Sequence, residues 1–113
     1  MNKKFDIIVY GATGFTGSLC VKYLQKNYSD LRWGIAGRNQ EKLEALSKKL
    51  GLNCEIFIAD GNDLPALNEI TKQTRVVLTT AGPFHKYGSK LVASCVTSST
   101  HYVDITGENF WVK

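Results

Sequence analysis

The chain has 113 residues, of which 43% are hydrophobic and 21% are charged. This balance predicts one small folded domain and excludes a disordered or fibrous chain. The formal net charge is +4, and the lysines and arginines are scattered, so a nucleic-acid partner is not expected. Three widely spaced cysteines argue against a disulfide framework or a metal site and favour a reducing, cytoplasmic location. No run approaches the roughly 20 apolar residues of a membrane span.

The first predicted strand, 5–10, leads into a turn with three evenly spaced glycines. A strand, a glycine-rich turn and a helix form a cradle for a pyrophosphate, because the free N–H groups and the helix dipole favour a dianion. The alternative is a turn without a ligand. We predict a helix over 14–27. Its apolar face holds Phe15, Leu19, Cys20, Tyr23 and Leu24. The loop residues expected to contact the cofactor are Gly11, Thr13, Gly14, Phe15, Thr16 and Gly17.

The next strand and helix are predicted over 32–36 and 40–50. Asn39 is the expected N-cap, and Gly51 is expected to end the helix. The buried stripe of this helix is Leu43, Leu46 and Leu50.

The second half continues the alternation, with strands predicted over 54–59, 76–79 and 102–105. Asp63 is expected to cap a short helix that has Pro65 in its first turn. That helix is predicted to point Leu64, Leu67 and Ile70 inward. Another helix, over 89–98, is predicted to bury Leu91, Val92, Cys95 and Val96.

Strands and helices that alternate in this way predict an α/β fold with a parallel sheet and helices on both faces. Right-handed crossovers favour a Rossmann-type doubly wound sheet with strand order 3-2-1-4-5. A full dinucleotide-binding fold has a sixth strand and usually a substrate domain. We therefore expect residues 1–113 to be the NAD(P)-binding domain of a longer protein, with the C-terminal substrate domain absent.

The end of the second strand indicates which dinucleotide binds. NAD-binding folds have an acidic residue there for the ribose 2′-hydroxyl, whereas this chain has Arg38, about 20 residues beyond Gly17. A guanidinium pairs with a 2′-phosphate, which an acid would repel. We predict NADP rather than NAD, with Asn39 adding a hydrogen bond. The alternative is that Arg38 is a solvated surface residue.

Two further groups belong to the same predicted edge. Asp60 is expected to accept from the adenine amino group, or else to cap a turn or helix. The loop after the fourth strand is expected to lie against the nicotinamide side of the cofactor and contains Ala81, Gly82 and Pro83. Tyr87 and Lys90 lack the Tyr-x-x-x-Lys spacing of short-chain dehydrogenases and follow a different strand, so we assign no catalytic residue.

Four segments together resemble one family. They are Val9–Gly17, Ala36–Asn39 with Lys42-Leu43, Ala81–Phe84 with Tyr87-Gly88, and His101–Glu108. In this order they are similar to the N-terminal domain of saccharopine dehydrogenase-like oxidoreductases, a group that includes the mycobacterial trans-acting enoyl reductases. The resemblance implies NAD(P) binding by the Gly11–Gly17 loop, Arg38 and the Gly82-Pro83 loop, and hydride transfer completed by a C-terminal domain.

Two functions follow as expectations. The first is the cofactor-binding domain of an NADP-dependent oxidoreductase that acts on an unidentified small substrate in the full-length protein. The chain alone would then bind cofactor with little turnover, and its exposed apolar sheet surface would favour a homodimer. The second is a non-catalytic NADP-sensing regulatory module, which would use the same glycine loop.

Overall fold

The structure is a computed structural model that describes residues 4–27, 30–51, 54–60, 63–79 and 84–104. Strands and helices alternate through these residues. The elements are β1 (Phe5–Tyr10), α1 (Phe15–Asn27), β2 (Trp33–Gly37), α2 (Gln40–Leu50), β3 (Glu55–Ile58), α3 (Leu64–Thr71), β4 (Thr74–Thr79), α4 (Phe84–Thr97) and β5 (His101–Asp104).

The five strands form one parallel sheet in the order β3-β2-β1-β4-β5, which confirms the predicted order. In this sheet Tyr10, the last residue of β1, lies beside Ala36 of β2 and Thr79 of β4. All strands point the same way, so their carboxyl ends share one edge. Ligands of open α/β sheets bind outside that edge.

Both faces of the sheet are covered by helices. On one face, Ile8 and Val77 pack with Leu67 of α3 and Leu91 of α4. On the other face, helices α1 and α2 cover the sheet, and the buried residues there include Val9, Val21, Leu24, Ile35 and Leu43. Burial on both faces explains why β1 and β4 read as continuous apolar runs rather than alternating ones.

Three predicted helix boundaries are confirmed by their caps. The Asn39 side chain accepts from the Lys42 N–H at 3.0 Å at the start of α2. Gly51 ends α2 in the left-handed region, with φ of 63°. The Asp63 side chain accepts from the Ala66 N–H at 3.2 Å and begins α3. These polar groups satisfy backbone atoms that the helix itself leaves unpaired.

Part of the apolar face predicted for α1 is exposed. In α1 the buried residues are Gly17, Val21 and Leu24, whereas Leu19 and Tyr23 are 43% and 57% exposed. Each of these two residues lies two positions after a buried one, which is about 200° around the helix. The apolar face predicted for α1 was therefore wrong for both.

In α3 and α4, two residues predicted to point inward are exposed. Leu64 in the first turn of α3 is 38% exposed, and Val96 of α4 is 74% exposed. The buried stripe of α4 contains Ser94, and the Ser94 Oγ lies 2.8 Å from the Thr71 Oγ1 of α3. A paired hydroxyl group can be buried at little cost, so Ser94 occupies the inner position and Val96 turns outward. Helix α4 also begins five residues earlier than predicted, at Phe84.

The same network of hydroxyl groups continues at the amino ends of the strands. Thr71 Oγ1 also lies 2.9 Å from Ser98 Oγ, and Thr100 Oγ1 donates to the carbonyls of Thr71 at 2.6 Å and Thr74 at 3.1 Å. Thr74 begins β4, and Thr100 directly precedes β5. The polar packing between α3 and α4 is thus at the end of the sheet opposite the predicted site.

Candidate cofactor-binding site

Three predicted site residues follow three neighbouring strands. Gly11 comes after β1, Arg38 after β2, and Asp60 two residues beyond β3. Backbone hydrogen bonds continue past the strand ends and hold these segments together. The Gly11 N–H donates to the Ala36 carbonyl at 2.8 Å, and the Ala59 N–H donates to the Gly37 carbonyl at 2.8 Å. The structure therefore places the starts of three loops along one edge of the sheet.

The glycine loop turns sharply at its first residue. Gly11 has φ of 81°, a conformation that side chains with a Cβ rarely adopt. The Gly14 N–H donates back to the Gly11 carbonyl at 3.2 Å, and the Gly14 carbonyl accepts from the Ser18 N–H at 2.8 Å as α1 begins. Thr13 and Gly14 are exposed. The loop thus delivers the chain from a buried strand to an exposed helix start.

The first turn of α1 suits an anion. It holds no acidic residue, so the partial positive charge of the helix terminus is not neutralised by its own side chains. Phe15 and Thr16 lie in this turn, and Gly17 is buried behind them. For Phe15 and Thr16, the helical backbone agrees with the predicted contact to the cofactor.

Arg38 is exposed at the end of β2 and is available to a ligand. The ion pairs among the described residues are Lys4–Glu55, Arg32–Asp6 and Lys72–Glu69, and Arg38 is in none of them. Asn39 beside it is a helix cap. Its Oδ1 already accepts the Lys42 N–H, so the amide hydrogens are the part of Asn39 left for a ligand.

Asp60 is exposed and begins a turn. Its carbonyl accepts the Asp63 N–H at 3.0 Å, and the cap of α3 is Asp63 rather than Asp60. Of the two alternatives left open for Asp60, the helix cap is thus Asp63, as predicted, whereas a role of Asp60 in a turn agrees with its hydrogen bond to the Asp63 N–H.

Tyr10 also lies at this site, although it is not among the site residues predicted from the sequence. Its hydroxyl is buried and donates to the Ala59 carbonyl at 2.8 Å. Burial, and then the nearby Asp60 carboxylate, raise the pKa of Tyr10 to about 12, while the Arg38 guanidinium acts in the opposite direction. The charges of Arg38 and Asp60 thus act on one phenol. A tyrosine that ends a buried strand looks like an ordinary core residue, and only its chain position next to Gly11 was a signal.

The predicted site residues of the loop after β4, which are Ala81, Gly82 and Pro83, fall outside the described residues. Within the described part of the chain, no group of three or more His, Cys, Asp or Glu side chains could hold a metal ion. Among the same residues, no helix is long and apolar enough to cross a membrane.

Comparison with known families decides the relationship. Residues 7–112 match the family described as the saccharopine dehydrogenase NADP binding domain. The chain belongs to this family. The family match confirms both the predicted resemblance and NADP as the cofactor.

Curated relatives of this NADP binding domain include trans-acting enoyl reductases of mycobacteria. The protein from Mycobacterium leprae is 40% identical over 109 residues, which are 94% of this chain and 26% of the relative. The Mycobacterium tuberculosis protein of the same name gives the same identity and coverage. The chain therefore spans about a quarter of the length of the curated relatives that it matches.

Solved structures share the fold. Apo saccharopine dehydrogenase (L-Glu forming) from Saccharomyces cerevisiae superposes with a TM-score of 0.75 at 22% identity, over 88% of this chain and 21% of that one. Yeast methylglyoxal/isovaleraldehyde reductase complexed with NADPH gives a TM-score of 0.67 at 26% identity, over 82% of this chain and 32% of that one. Both likenesses agree with the Rossmann-type sheet described above.

Proposed function

We propose that this chain is the cofactor-binding part of an NADP-dependent oxidoreductase, in which hydride passes between nicotinamide and a small substrate. The observation that carries the proposal is the position of Arg38. Arg38 is exposed directly after β2, at the edge where the loop from Gly11 leads into α1. It occupies the position that is acidic in NAD-binding folds. A cation at this position favours the 2′-phosphate that distinguishes NADP from NAD.

The glycine loop fits a bound pyrophosphate. Among the described residues, a Cβ added at Gly14 would meet only the Gly11 carbonyl, at an ordinary contact distance of 3.6 Å. Packing within the described chain therefore does not require glycine at position 14, whereas close approach of a phosphate to the backbone does. This supports the loop from Gly11 to Gly17 as the pyrophosphate cradle.

The remaining roles follow from the positions along the edge. Arg38 pairs with the 2′-phosphate, and the Asn39 amide hydrogens add a donor. Asp60 accepts from the adenine amino group. Ala81, Gly82 and Pro83, which lie outside the described residues, are proposed to line the nicotinamide side. Nicotinamide supplies the hydride when it is bound, and this chain contributes binding and orientation.

The substrate and the reacting geometry are proposed to depend on the longer protein. The curated relatives are about four times as long as their matched segment, and their name is that of a reductase. We therefore expect reduction rather than oxidation as the direction, and we expect the 113-residue chain to bind NADPH with little turnover of its own. A cytoplasmic location and self-association remain predictions.

The test is calorimetric titration of the 113-residue chain with NADPH and with NADH. Arg38→Ala is expected to weaken NADPH binding by about 10- to 100-fold, because it removes a charge-assisted contact. NADH binding should stay within about twofold. Arg75→Ala serves as the matched control, since Arg75 is an exposed arginine on β4.

Two results would contradict the proposal. Equal affinities for NADPH and NADH in the unmodified chain would remove the role of Arg38 in selectivity. If Arg38→Ala and Arg75→Ala weakened the binding of both dinucleotides equally, the effect of Arg38 would come from net charge and not from a specific contact.

A further inference from the structure

The side chain of Tyr10 crosses a neighbouring strand. Tyr10 belongs to β1, its hydroxyl donates to Ala59 just after β3, and β2 lies between the two strands. The residue of β2 beside Tyr10 is Ala36, which has only a methyl side chain. Tyr10, Ala36 and Ala59 belong to one buried cluster. A larger residue at position 36 would occupy the space through which the phenol reaches Ala59.

With this bond, both backbone polar groups of Ala59 are hydrogen-bonded at the edge. The Ala59 N–H is held by the Gly37 carbonyl, and the Ala59 carbonyl is held by the Tyr10 hydroxyl. Gly37 directly precedes Arg38, Ala59 directly precedes Asp60, and Tyr10 directly precedes Gly11. The two bonds at Ala59 therefore link the starts of all three loops that form the candidate site.

The hydroxyl is not needed to fill the core. A phenylalanine ring would bury the same apolar surface, and a buried hydroxyl group is costly unless it is paired. In return, the hydroxyl satisfies a carbonyl at the end of β3, where regular strand pairing stops. The hydroxyl group therefore contributes by fixing the position of Ala59 and of Asp60, the residue that follows it.

We propose that Tyr10 is a positioning residue for the adenosine end of the cofactor. Its hydroxyl acts through the Ala59 carbonyl to hold Asp60 at a fixed place relative to the glycine loop and Arg38. The inference rests on the proposed function, because it takes Asp60 to meet the adenine ring. In this role Tyr10 acts through its hydrogen bond to Ala59 and not through a contact of its own with the cofactor.

The experiment is a double-mutant cycle on binding affinity, using the 113-residue chain with Tyr10→Phe, Asp60→Ala and both together. Adenine is common to NADPH and NADH, so Tyr10→Phe should weaken both by about fivefold, the effect of losing one hydrogen bond. In the Asp60→Ala background the same change should alter affinity by less than about twofold. Tyr23→Phe, which removes an exposed hydroxyl group on α1, is the control and should bind like the unmodified chain.

The cycle separates positioning from a general loss of order. Stability is measured by urea denaturation of each variant, and the stability cost of Tyr10→Phe should be the same with and without Asp60. A fivefold loss of affinity that persists in the Asp60→Ala background would overturn the inference. So would Tyr10→Phe binding both dinucleotides as tightly as the unmodified chain.

A second variant tests the same Tyr10–Ala59 hydrogen bond without removing the hydroxyl group. Ala36→Val keeps Tyr10 but adds two methyl groups in the path of its ring, so it should reproduce the equal weakening of both dinucleotides and the dependence on Asp60. Unchanged affinity in Ala36→Val would also count against the inference. If the unmodified chain binds neither dinucleotide, the proposed function itself is wrong. If it binds NADPH through Arg38 and Tyr10→Phe has no effect, only the role of Tyr10 is wrong.

Discussion

The carboxylate of Asp6 receives two hydrogen bonds from Arg32, one from its backbone and one from its side chain. The Arg32 N–H donates to Oδ2 at 3.0 Å, and the Arg32 Nη2 donates to Oδ1 at 3.2 Å. In return, the Asp6 N–H donates to the Arg32 carbonyl at 2.6 Å. Asp6 lies near the start of β1, and Arg32 directly precedes β2, so the pair joins these two strands at the end opposite the candidate site.

This pairing predicts how stability responds to acid. The backbone N–H of Arg32, then its guanidinium, lower the pKa of Asp6 below its ordinary value. A carboxylate with a lowered pKa in the folded state stabilises the protein above about pH 4, and the gain is lost as pH falls through the folded pKa. Asp6→Asn should therefore be less stable than the unmodified chain at pH 7, and the difference should close as pH falls below about 4.

Urea denaturation at several pH values measures this difference. Glu69→Gln is the matched control, because Glu69 pairs with Lys72 at 2.9 Å but both side chains are more than half exposed. Exposed pairs of this kind contribute little, so the control should follow the unmodified chain at every pH. A difference for Asp6→Asn that stays constant down to pH 2 would contradict the prediction.

Alkaline titration tests the surroundings of Tyr10. Because burial, followed by Asp60, raises its pKa to about 12, the neutral phenol stabilises the folded chain fully below about pH 10. This contribution is lost as pH rises from 10 through 12. Tyrosinate absorbance, read immediately after a pH jump, should show the signal missing from Tyr10→Phe appearing near pH 12. A signal that is missing from Tyr10→Phe but appears near pH 10 in the unmodified chain would disprove the shift.

Of Gly14, Gly34, Gly37 and Gly51, Gly34 of β2 is predicted to be the least tolerant of a side chain. A Cβ there would come within 3.0 Å of the Glu55 carbonyl oxygen and 3.2 Å of the Phe57 ring. The oxygen belongs to the neighbouring strand, so it moves only if the sheet moves. Gly34→Ala should lower the free energy of unfolding by about 1–3 kcal/mol, as overpacking does.

Gly37 provides the control on the same strand. A Cβ at Gly37 would meet Leu43 at 3.7 Å, an ordinary contact. Gly37→Ala should therefore change the free energy of unfolding by less than about 1 kcal/mol. Thermal and urea denaturation give both values, and equal costs for the two variants would show that β3 yields to a side chain at position 34.

Gly14 should separate binding from folding. Its added methyl group has room in the free chain, so Gly14→Ala should change the free energy of unfolding by less than about 0.5 kcal/mol. The same methyl group would stand where the pyrophosphate approaches the backbone, so NADPH affinity should fall at least about tenfold.

Gly51→Ala is expected to show the opposite behaviour. Gly51 has φ of 63°, and an added Cβ would meet none of the described residues within 4 Å, so alanine there is strained by its backbone alone. We expect a cost of about 1 kcal/mol and unchanged NADPH affinity. If Gly14→Ala binds NADPH normally, the glycine loop is a turn and not a cradle.

Local signals account for the parts of the fold that could be predicted. Asn39, Asp63 and Gly51 act on backbone atoms within four residues of themselves, so the sequence around each one is enough. The strand order also follows from general rules for right-handed crossovers. The family resemblance rests on similarly short segments, which explains why it held.

The remaining features depend on residues far apart in the chain. The bond from Tyr10 to Ala59 spans 49 residues, and that between Thr71 and Ser94 spans 23. Neither residue type announces a long-range partner. Once Ser94 is paired, the inner face of α4 is fixed and Val96 turns outward, although hydrophobicity alone predicts the reverse.

The central place of β1 governs how the chain can be assembled during synthesis. Of the five strands, β1 emerges first from the ribosome, yet it pairs with β2 on one edge and with β4, Thr74–Thr79, on the other. Until β4 has emerged, one edge of the apolar segment Phe5–Tyr10 has no neighbour. Apolar strand edges of this kind are the ones that associate with other chains. The first of these five strands to be made is thus exposed to misassembly until the fourth, β4, has emerged.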